Sequence, residues 1–356
     1  MSQTIDQVRA GCEWQRELCR KNGSPTYVAI ITELIERLGA DEAVTELLTA
    51  DDQDPIQSAL CLRLFGAVNR IAMAESASWL TAYYPTFGGE TEVDKVVPAF
   101  FDFLGANLPA VREQMSISVQ TNEVGRAAPL SAAMNYVATA TGLPLRLLEV
   151  GASAGLNLLF DRYFVAGSDE SWGPADSVLR LVGHFESGRP RAARLDIAER
   201  RGCDLNPIDV YAPETANLLR SFVWPEHVER VHRLDAALEV ARSAPRLSID
   251  AADGCSWVLK HIEELTPGHT TVIFHSIVLA YFDADERARF AKLIRTRGAA
   301  TGEDQPLAWI SLEPSVDDSS VVNLVCELWP TNKRVLLART TPHGTQVRWD
   351  PQEESA

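Results

Sequence analysis

Nowhere in the 356 residues do apolar side chains run on for the roughly eighteen positions that a membrane-spanning helix needs. The opening stretch, MSQTIDQVRAGCEWQREL, is polar with helical spacing and lacks the charged-then-apolar order of a secretory leader. These two absences predict a cytoplasmic protein. Positive charge is also short: 33 Lys and Arg stand against 49 Asp and Glu, a net charge of -16 at pH 7. Such a surface repels nucleic-acid phosphates and anionic membranes alike, so neither is an expected partner and a small molecule is. Cysteine is scarce and scattered. Cys12, Cys19, Cys61, Cys203, Cys255 and Cys326 form no Cys-x-x-Cys pair and have no histidine at ligand spacing. That gives no support to a zinc site or a disulfide framework and predicts reduced, mostly buried thiols. No internal repeat occurs, and nothing in the chain fixes an oligomeric state.

Strand-like alternation is missing from the first 140 residues, where apolar positions recur at three-and-four spacing instead. Helices are expected at Ile5–Lys21, Pro25–Leu38, Asp41–Thr49, Ile56–Tyr83, Val93–Asn107 and Pro129–Thr141. Asn22-Gly23-Ser24-Pro25, Asp51 to Pro55 and Pro85 to Gly89 separate them with capping residues and helix breakers. Residues 1–140 therefore read as a helical region, a lid or substrate wall, placed before an α/β core at 141–350 and a disordered tail at 351–356. The run Gln120-Thr121-Asn122-Glu123-Val124-Gly125-Arg126 stands out because it packs amide, carboxylate and guanidinium groups just ahead of the core. It is expected to fold over the carboxyl end of the first strand, with Glu123 and Arg126 as candidate catalytic groups and Asn122 as a substrate contact.

From Leu145 onward strands alternate with helices. Leu145–Val150, Val178–Val182, Arg246–Ile249, Thr271–Ser276 and Leu307–Leu312 read as strands, and Leu156–Tyr163, Pro213–Ser221, Val228–Arg242, Ser256–Leu265 and Ala284–Arg297 as helices. That alternation predicts a doubly wound, mostly parallel sheet covered on both faces. Short runs at Asn323–Leu328, Arg334–Thr340 and Gln346–Trp349 then predict antiparallel hairpins. The outline resembles the class I methyltransferase fold, a Rossmann-like sheet whose last strand is inserted antiparallel.

The stretch Glu149-Val150-Gly151-Ala152-Ser153-Ala154-Gly155 carries two chemistries. It is similar to methyltransferase motif I, acid-x-Gly-x-Gly-x-Gly, with Ser153 in place of the middle glycine. That resemblance implies S-adenosylmethionine as cofactor, held by Glu149, Gly151, Ala152, Ser153, Gly155 and Asn157. The same letters spell the Gly-x-Ser-x-Gly elbow of serine hydrolases, with Asp283 or Asp317 and then His343 as triad partners for Ser153. The helical upstream half and Glu149, two residues ahead of the turn, weigh against that alternative. A third reading is a silent nucleotide-binding module.

Polar residues at later strand ends supply the rest of a site. Asp204, in competition with Asp176 and Asp196, corresponds to the ribose-binding acid of the methyltransferase pattern, and Asp253 to the residue beside the base. His275, closing the apolar run Thr271-Val272-Ile273-Phe274, is a candidate general base or a hydrogen-bonded structural histidine. Tyr281 is a candidate stacking or catalytic group, and Ser276 and Glu313 are candidate substrate contacts. With these pieces in place the chain resembles a bacterial family known as domain of unknown function 2332. The matching pieces are the Gln120–Arg126 run, Glu149 to Asn157 with Asp161-Arg162-Tyr163, Arg201 to Asp209, Val223-Trp224-Pro225 with Arg230, and Phe274-His275-Ser276. They span most of residues 25–315 and imply one continuous unit, without implying a reaction.

Overall fold

Thr4 and Gln7 cap one another at the start of the chain, each accepting the other's backbone N–H. In the computed structural model, which describes residues 3–50, 52–74, 78–318 and 320–353, this reciprocal cap opens α1 (Ile5–Lys21). Ser24 caps α2 (Pro25–Arg37), whose first residue is a proline that has no N–H to leave unpaired. Asp41 caps α3 (Glu42–Thr49). Then come α4 (Leu60–Ala74), α5 (Ser78–Thr81), α6 (Val93–Ala106) and α7 (Leu108–Gln114). The helix expected over Ile56–Tyr83 begins later, at Leu60, and ends earlier, at Thr81; residues 75–77, between α4 and α5, lie outside the described part. α7, with a proline near its start, is an additional helix.

The helices up to Thr121 form one compact unit together with Pro213–His232. Its core is built on Tyr27, which stacks on Phe65 at 4.0 Å between centroids and meets Trp224 at 6.2 Å. Asn69 donates to the Tyr27 hydroxyl at 3.0 Å and to the Ser221 carbonyl at 2.8 Å, tying the returning segment to α4.

The second unit holds Asn122–Ala212 and the chain from Arg233. It begins with α8 (Ala127–Thr141), ended by Gly142 at φ 68°. Its strands are β1 (Leu145–Val150), β2 (Phe164–Ala166), β3 (Ser171–Trp172), β4 (Arg180–Leu181), β5 (Phe185–Ser187), β6 (Ile197–Asp204), β7 (Ser248–Ala251), β8 (Thr270–Ser276), β9 (Leu307–Pro314), β10 (Val322–Trp329), β11 (Lys333–Thr340) and β12 (Val347–Glu353). The helices α9 (Thr215–Ser221), α10 (Val228–Ser243), α11 (Gly254–Ile262) and α12 (Ala284–Ala299) lie between them in sequence. The main sheet runs β7-β6-β1-β8-β9-β10-β11-β12-β5, parallel from β7 to β9 and antiparallel from β9 to β12. The protein is an α/β fold with N-terminal helices and a mixed, mostly parallel sheet. α8 packs on the β9–β11 part of one face. α11 and α12 bury the other, where Leu148, Ile273, Phe290 and Trp309 join one apolar cluster.

Four expectations need correction. Val178–Val182 is not a core strand: β4 belongs to a separate small sheet, β3-β2-β4. The strand beside β1 is β6, whose charges hide it from a hydrophobicity reading. Arg146 of β1 meets Glu199 at 2.5 Å, Arg200 meets Asp161 at 2.7 Å and Arg201 meets Asp250 at 3.0 Å, so neighbouring elements pair with the strand's charges. At the end of the chain β9 to β12 form a plain meander, and among the described residues no late strand is inserted out of order. The tail expected to be disordered from residue 351 instead continues β12 to Glu353, and residues 354–356 lie outside the described part. All six cysteines are buried and free, as expected. Among the described residues no helix is long and apolar enough to cross a membrane.

Candidate functional site

Residues that pair side by side in parallel strands project to the same face. Glu149 is level with Gly202 of β6 and Phe274 of β8, so Glu149, Asp204 and Ser276 share one face at the carboxyl ends of three adjacent strands. Val150, Cys203 and His275 project from the other face. The chain lays β6 and β7 on one side of β1 and β8 and β9 on the other, so the strand order reverses here. Crevices that receive ligands form at such a reversal.

The loop after β1 is a sharp turn with Gly151 at φ 71°, Ser153 at 53° and Gly155 at 74°. Serine held there costs about 1–2 kcal/mol. Asp204 holds the turn in place, its Oδ2 accepting from the Ser153 N–H at 2.9 Å and its Oδ1 from Asn206 at 2.8 Å. The N–H groups of Ala152, Gly155 and Leu156 donate to the Cys203 carbonyl, the Ala152 carbonyl and Asn122 Oδ1. These N–H groups are thus engaged inside the protein and not offered to a ligand. A 3₁₀ segment, Leu156–Arg162, interrupted at Leu159, follows in place of the expected α-helix. Asp161 and Tyr163 anchor it, the first through Arg200 and the second through its hydroxyl, which donates to the Leu156 carbonyl at 2.6 Å.

Glu149 is 1% exposed, and its Oε2 has no hydrogen-bond partner among the described residues. Burial raises its carboxyl well above the usual range, the Asp204 charge adds to that rise, and Arg126 opposes it. Asn157, also buried, likewise leaves its Oδ1 without a partner.

The 122–126 loop does fold over this end of the sheet. Asn122 caps the 3₁₀ segment, and Arg126 donates from Nη1 to the Ser276 carbonyl at 3.1 Å and from Nε to the Pro342 carbonyl at 2.9 Å. Glu123 is buried, accepts from the Gly125 N–H at 3.1 Å and lies 3.4 Å from His343 Nδ1. Gly125 has no space for a side chain, since a Cβ would fall 2.3 Å from the His343 carbonyl oxygen.

Other candidates have structural partners instead. His275 is fully buried; its Nε2 accepts from the Trp309 indole at 3.0 Å, which leaves Nδ1 to donate to Glu313 Oε1 at 2.7 Å. Both ring nitrogens are engaged on the face opposite Glu149, so the structure gives His275 partners in the core and not the place expected of a general base. Glu313, expected to touch substrate, instead also accepts from the Val278 and Leu279 N–H groups at 2.9 and 3.3 Å, fixing the loop after β8. That loop holds Ile277 at φ 53°. Asp253 caps α11 through the Ser256 N–H at 2.9 Å, and α11 packs on the face away from Glu149. Tyr281 is 63% exposed, within electrostatic range of Arg126 and Glu313. Of the hydrolase partners, Asp283 caps α12, Asp317 is exposed, and His343 sits against Glu123. Sequence reasoning missed Trp309 and Val278. The first was legible only as an aromatic on a predicted strand, and the second carried no signal.

An α/β protein with a buried, partly unsatisfied carboxyl cluster at the reversal point of its sheet is the class that fold and site define. The chain belongs to the family described as "Uncharacterized protein conserved in bacteria (DUF2332)", whose model it matches over residues 9–349. No relative was found among curated proteins. A solved structure similar to the chain is that of the sugar N-methyltransferase KedS8 from Streptoalloteichus sp ATCC 53650. The two are 12% identical with a TM-score of 0.24 over 72% of this chain and 77% of that one.

Proposed function

We propose that the protein transfers a methyl group from S-adenosylmethionine to a small-molecule acceptor, on a core of the class I methyltransferase type. The observation that carries this reading is Glu149: a buried carboxyl beside Asp204, with one oxygen unsatisfied, at the turn after the first core strand. A cation beside such a group favours its ionised form. The residues present fit the cofactor in that respect. Glu149 would hold its ammonium end. Asp204 would hold the ribose hydroxyls, since a carboxylate accepts about four hydrogen bonds and the Ser153 and Asn206 N–H groups take two.

When bound, the cofactor supplies an electrophilic methyl carbon on a sulfonium. Arg126, fixed on Ser276 and Pro342, and the exposed Tyr281 line the side on which an acceptor would be aligned. With His275 sealed in the core, alignment of the acceptor and not proton abstraction by a side chain carries the rate. Isothermal titration with S-adenosylhomocysteine tests the proposal. Micromolar affinity in the wild type, weakened about tenfold or more by Glu149→Gln, supports it; no binding to the folded protein overturns it.

One observation favours the hydrolase reading: Ser153 has the positive φ of a strained turn, as a nucleophile elbow requires. Covalent labelling of Ser153 by a fluorophosphonate would establish that reading in place of methyl transfer.

A further inference from the structure

β10 is antiparallel to both β9 and β11, so β11 runs in the direction of β9 and the turn after it, residues 341–346, reaches the same carboxyl edge of the sheet as Glu149 and Asp204. The turn is closed on itself. The Thr341 N–H donates to the Thr345 carbonyl at 3.1 Å, the Gly344 N–H to the Thr341 carbonyl at 3.0 Å and the Thr340 hydroxyl to the Thr345 carbonyl at 2.7 Å.

This turn and the 122–126 loop fit backbone against backbone. A Cβ on Gly125 would fall 2.3 Å from the His343 carbonyl oxygen, and one on Gly344, at φ 68°, would fall 2.4 Å from the Gly125 carbonyl oxygen. Side chains fasten the contact on both sides. Arg126 Nε donates to the Pro342 carbonyl at 2.9 Å, and His184, just ahead of β5, donates from Nδ1 to the Gly344 carbonyl at 2.7 Å. Between these two anchors His343 Nδ1 lies 3.4 Å from Glu123 Oε2, on a residue only 4% exposed.

Glu123 and Arg126 face His343 from the loop and His184 from the run into β5, while Arg233 of α10 is within electrostatic range of His184. Burial lowers the His184 imidazole and Arg233 lowers it further, against the Gly344 hydrogen bond and the Glu123 charge, so His184 stays neutral. A carboxylate withdrawn from water is stabilised by an opposite charge, and imidazole is the side chain that changes charge between about pH 5 and 8. We propose that His343 is a protonation-dependent latch: as an imidazolium it pairs with Glu123 and holds the 122–126 loop on the carboxyl edge, and as rising pH neutralises it the loop loosens. A proton held more tightly in the closed form contributes at low pH, and its contribution fades as pH rises. The effect reaches the candidate site, because the loop carries Asn122, which accepts from the Leu156 N–H at 3.1 Å, and Arg126, which donates to the Ser276 carbonyl at 3.1 Å. The latch is a property of the protein without ligand and does not rest on methyl transfer.

Amide hydrogen exchange of the full chain, corrected for the intrinsic rate, tests it at the N–H groups of Gly125, Arg126 and Leu156, whose acceptors the loop supplies. The expected result is protection about fivefold greater at about pH 5.5 than at about pH 8, the difference between a charged and a neutral hydrogen bond. Histidine resonances should show His343 titrating over the same interval. His343→Gln and Glu123→Gln each remove one member of the pair and are expected to abolish the dependence, whereas Glu149→Gln, which removes the other acid titrating high at this edge, is expected to keep it. Equal protection at the two pH values in the wild type overturns the proposal. So does a dependence that persists in His343→Gln or disappears in Glu149→Gln, and so does a His343 imidazole whose charge is unchanged across the interval.

Discussion

The backbone N–H of Ser153 donates to Asp204 Oδ2 at 2.9 Å, so a strand-end carboxylate holds a serine in the left-handed region. Asp204→Ala leaves that N–H and the one of Asn206 without their acceptor. Urea unfolding is expected to show a loss of about 1–3 kcal/mol.

Ser153→Gly separates the two chemistries of the turn. Glycine adopts this φ without strain, so under the methyltransferase reading the affinity for S-adenosylhomocysteine stays within about threefold of wild type, roughly 0.6 kcal/mol. A fluorophosphonate-labelled wild type whose activity vanishes in Ser153→Gly would sink that reading.

Gly151 presses on the loop after β8. A Cβ added there would fall 2.3 Å from Val278 Cγ2, on a residue already at φ 71°. Gly151→Ala is expected to cost about 2–5 kcal/mol, the sum of backbone strain and overpacking. In a Val278→Ala background the overpacking part disappears, and a double-mutant cycle of thermal unfolding measures the difference.

Two acids give opposite pH dependence. Glu149 titrates well above its ordinary 4.5 in the folded state. Protonated Glu149 is therefore favoured by folding, and the protein loses stability as pH rises from about 4.5 toward the folded value. Glu149→Gln removes this slope, so its stability relative to wild type should grow as pH rises above about 4.5 in denaturant titrations. Glu327 behaves the other way. Burial alone would raise its carboxyl, but Arg295, at 2.6 Å, and Arg334 outweigh burial and lower it. Its contribution is present above 4.5 and lost as pH falls through the folded value, and Glu327→Gln should flatten the acid limb of the unfolding profile.

The Trp309 indole donates to His275 Nε2, which requires the hydrogen of the imidazole on Nδ1. Nitrogen-15 spectra should show that tautomer. Trp309→Phe leaves the buried nitrogen without its donor at a cost of about 1–3 kcal/mol.

β1 was legible to the residue because an apolar run ends at an acid and a glycine turn, and Thr4, Ser24 and Asp41 announce their helices by capping. β6 was not legible. Its run Glu199-Arg200-Arg201 reads as solvent-exposed until Arg146, Asp161 and Asp250 are seen to meet those charges. The site divides in the same way. Glu149 and Ser153 follow from the motif, and Asp204 from its resemblance to the ribose-binding acid of the methyltransferase pattern. That His275 belongs to the opposite face follows from the two-residue period of a strand, yet its role became visible only with Trp309 and Glu313 in place.

By itself, the sequence determined the N-terminal helices, the start of the sheet and the turn around Ser153, because capping, periodicity and glycine conformation act over a few neighbouring residues. Tertiary structure alone decided which strand lies beside β1, which face each polar side chain serves, and that Glu149 is sealed from water. Those outcomes depend on pairing and burial between residues far apart in the chain, and no local pattern encodes them.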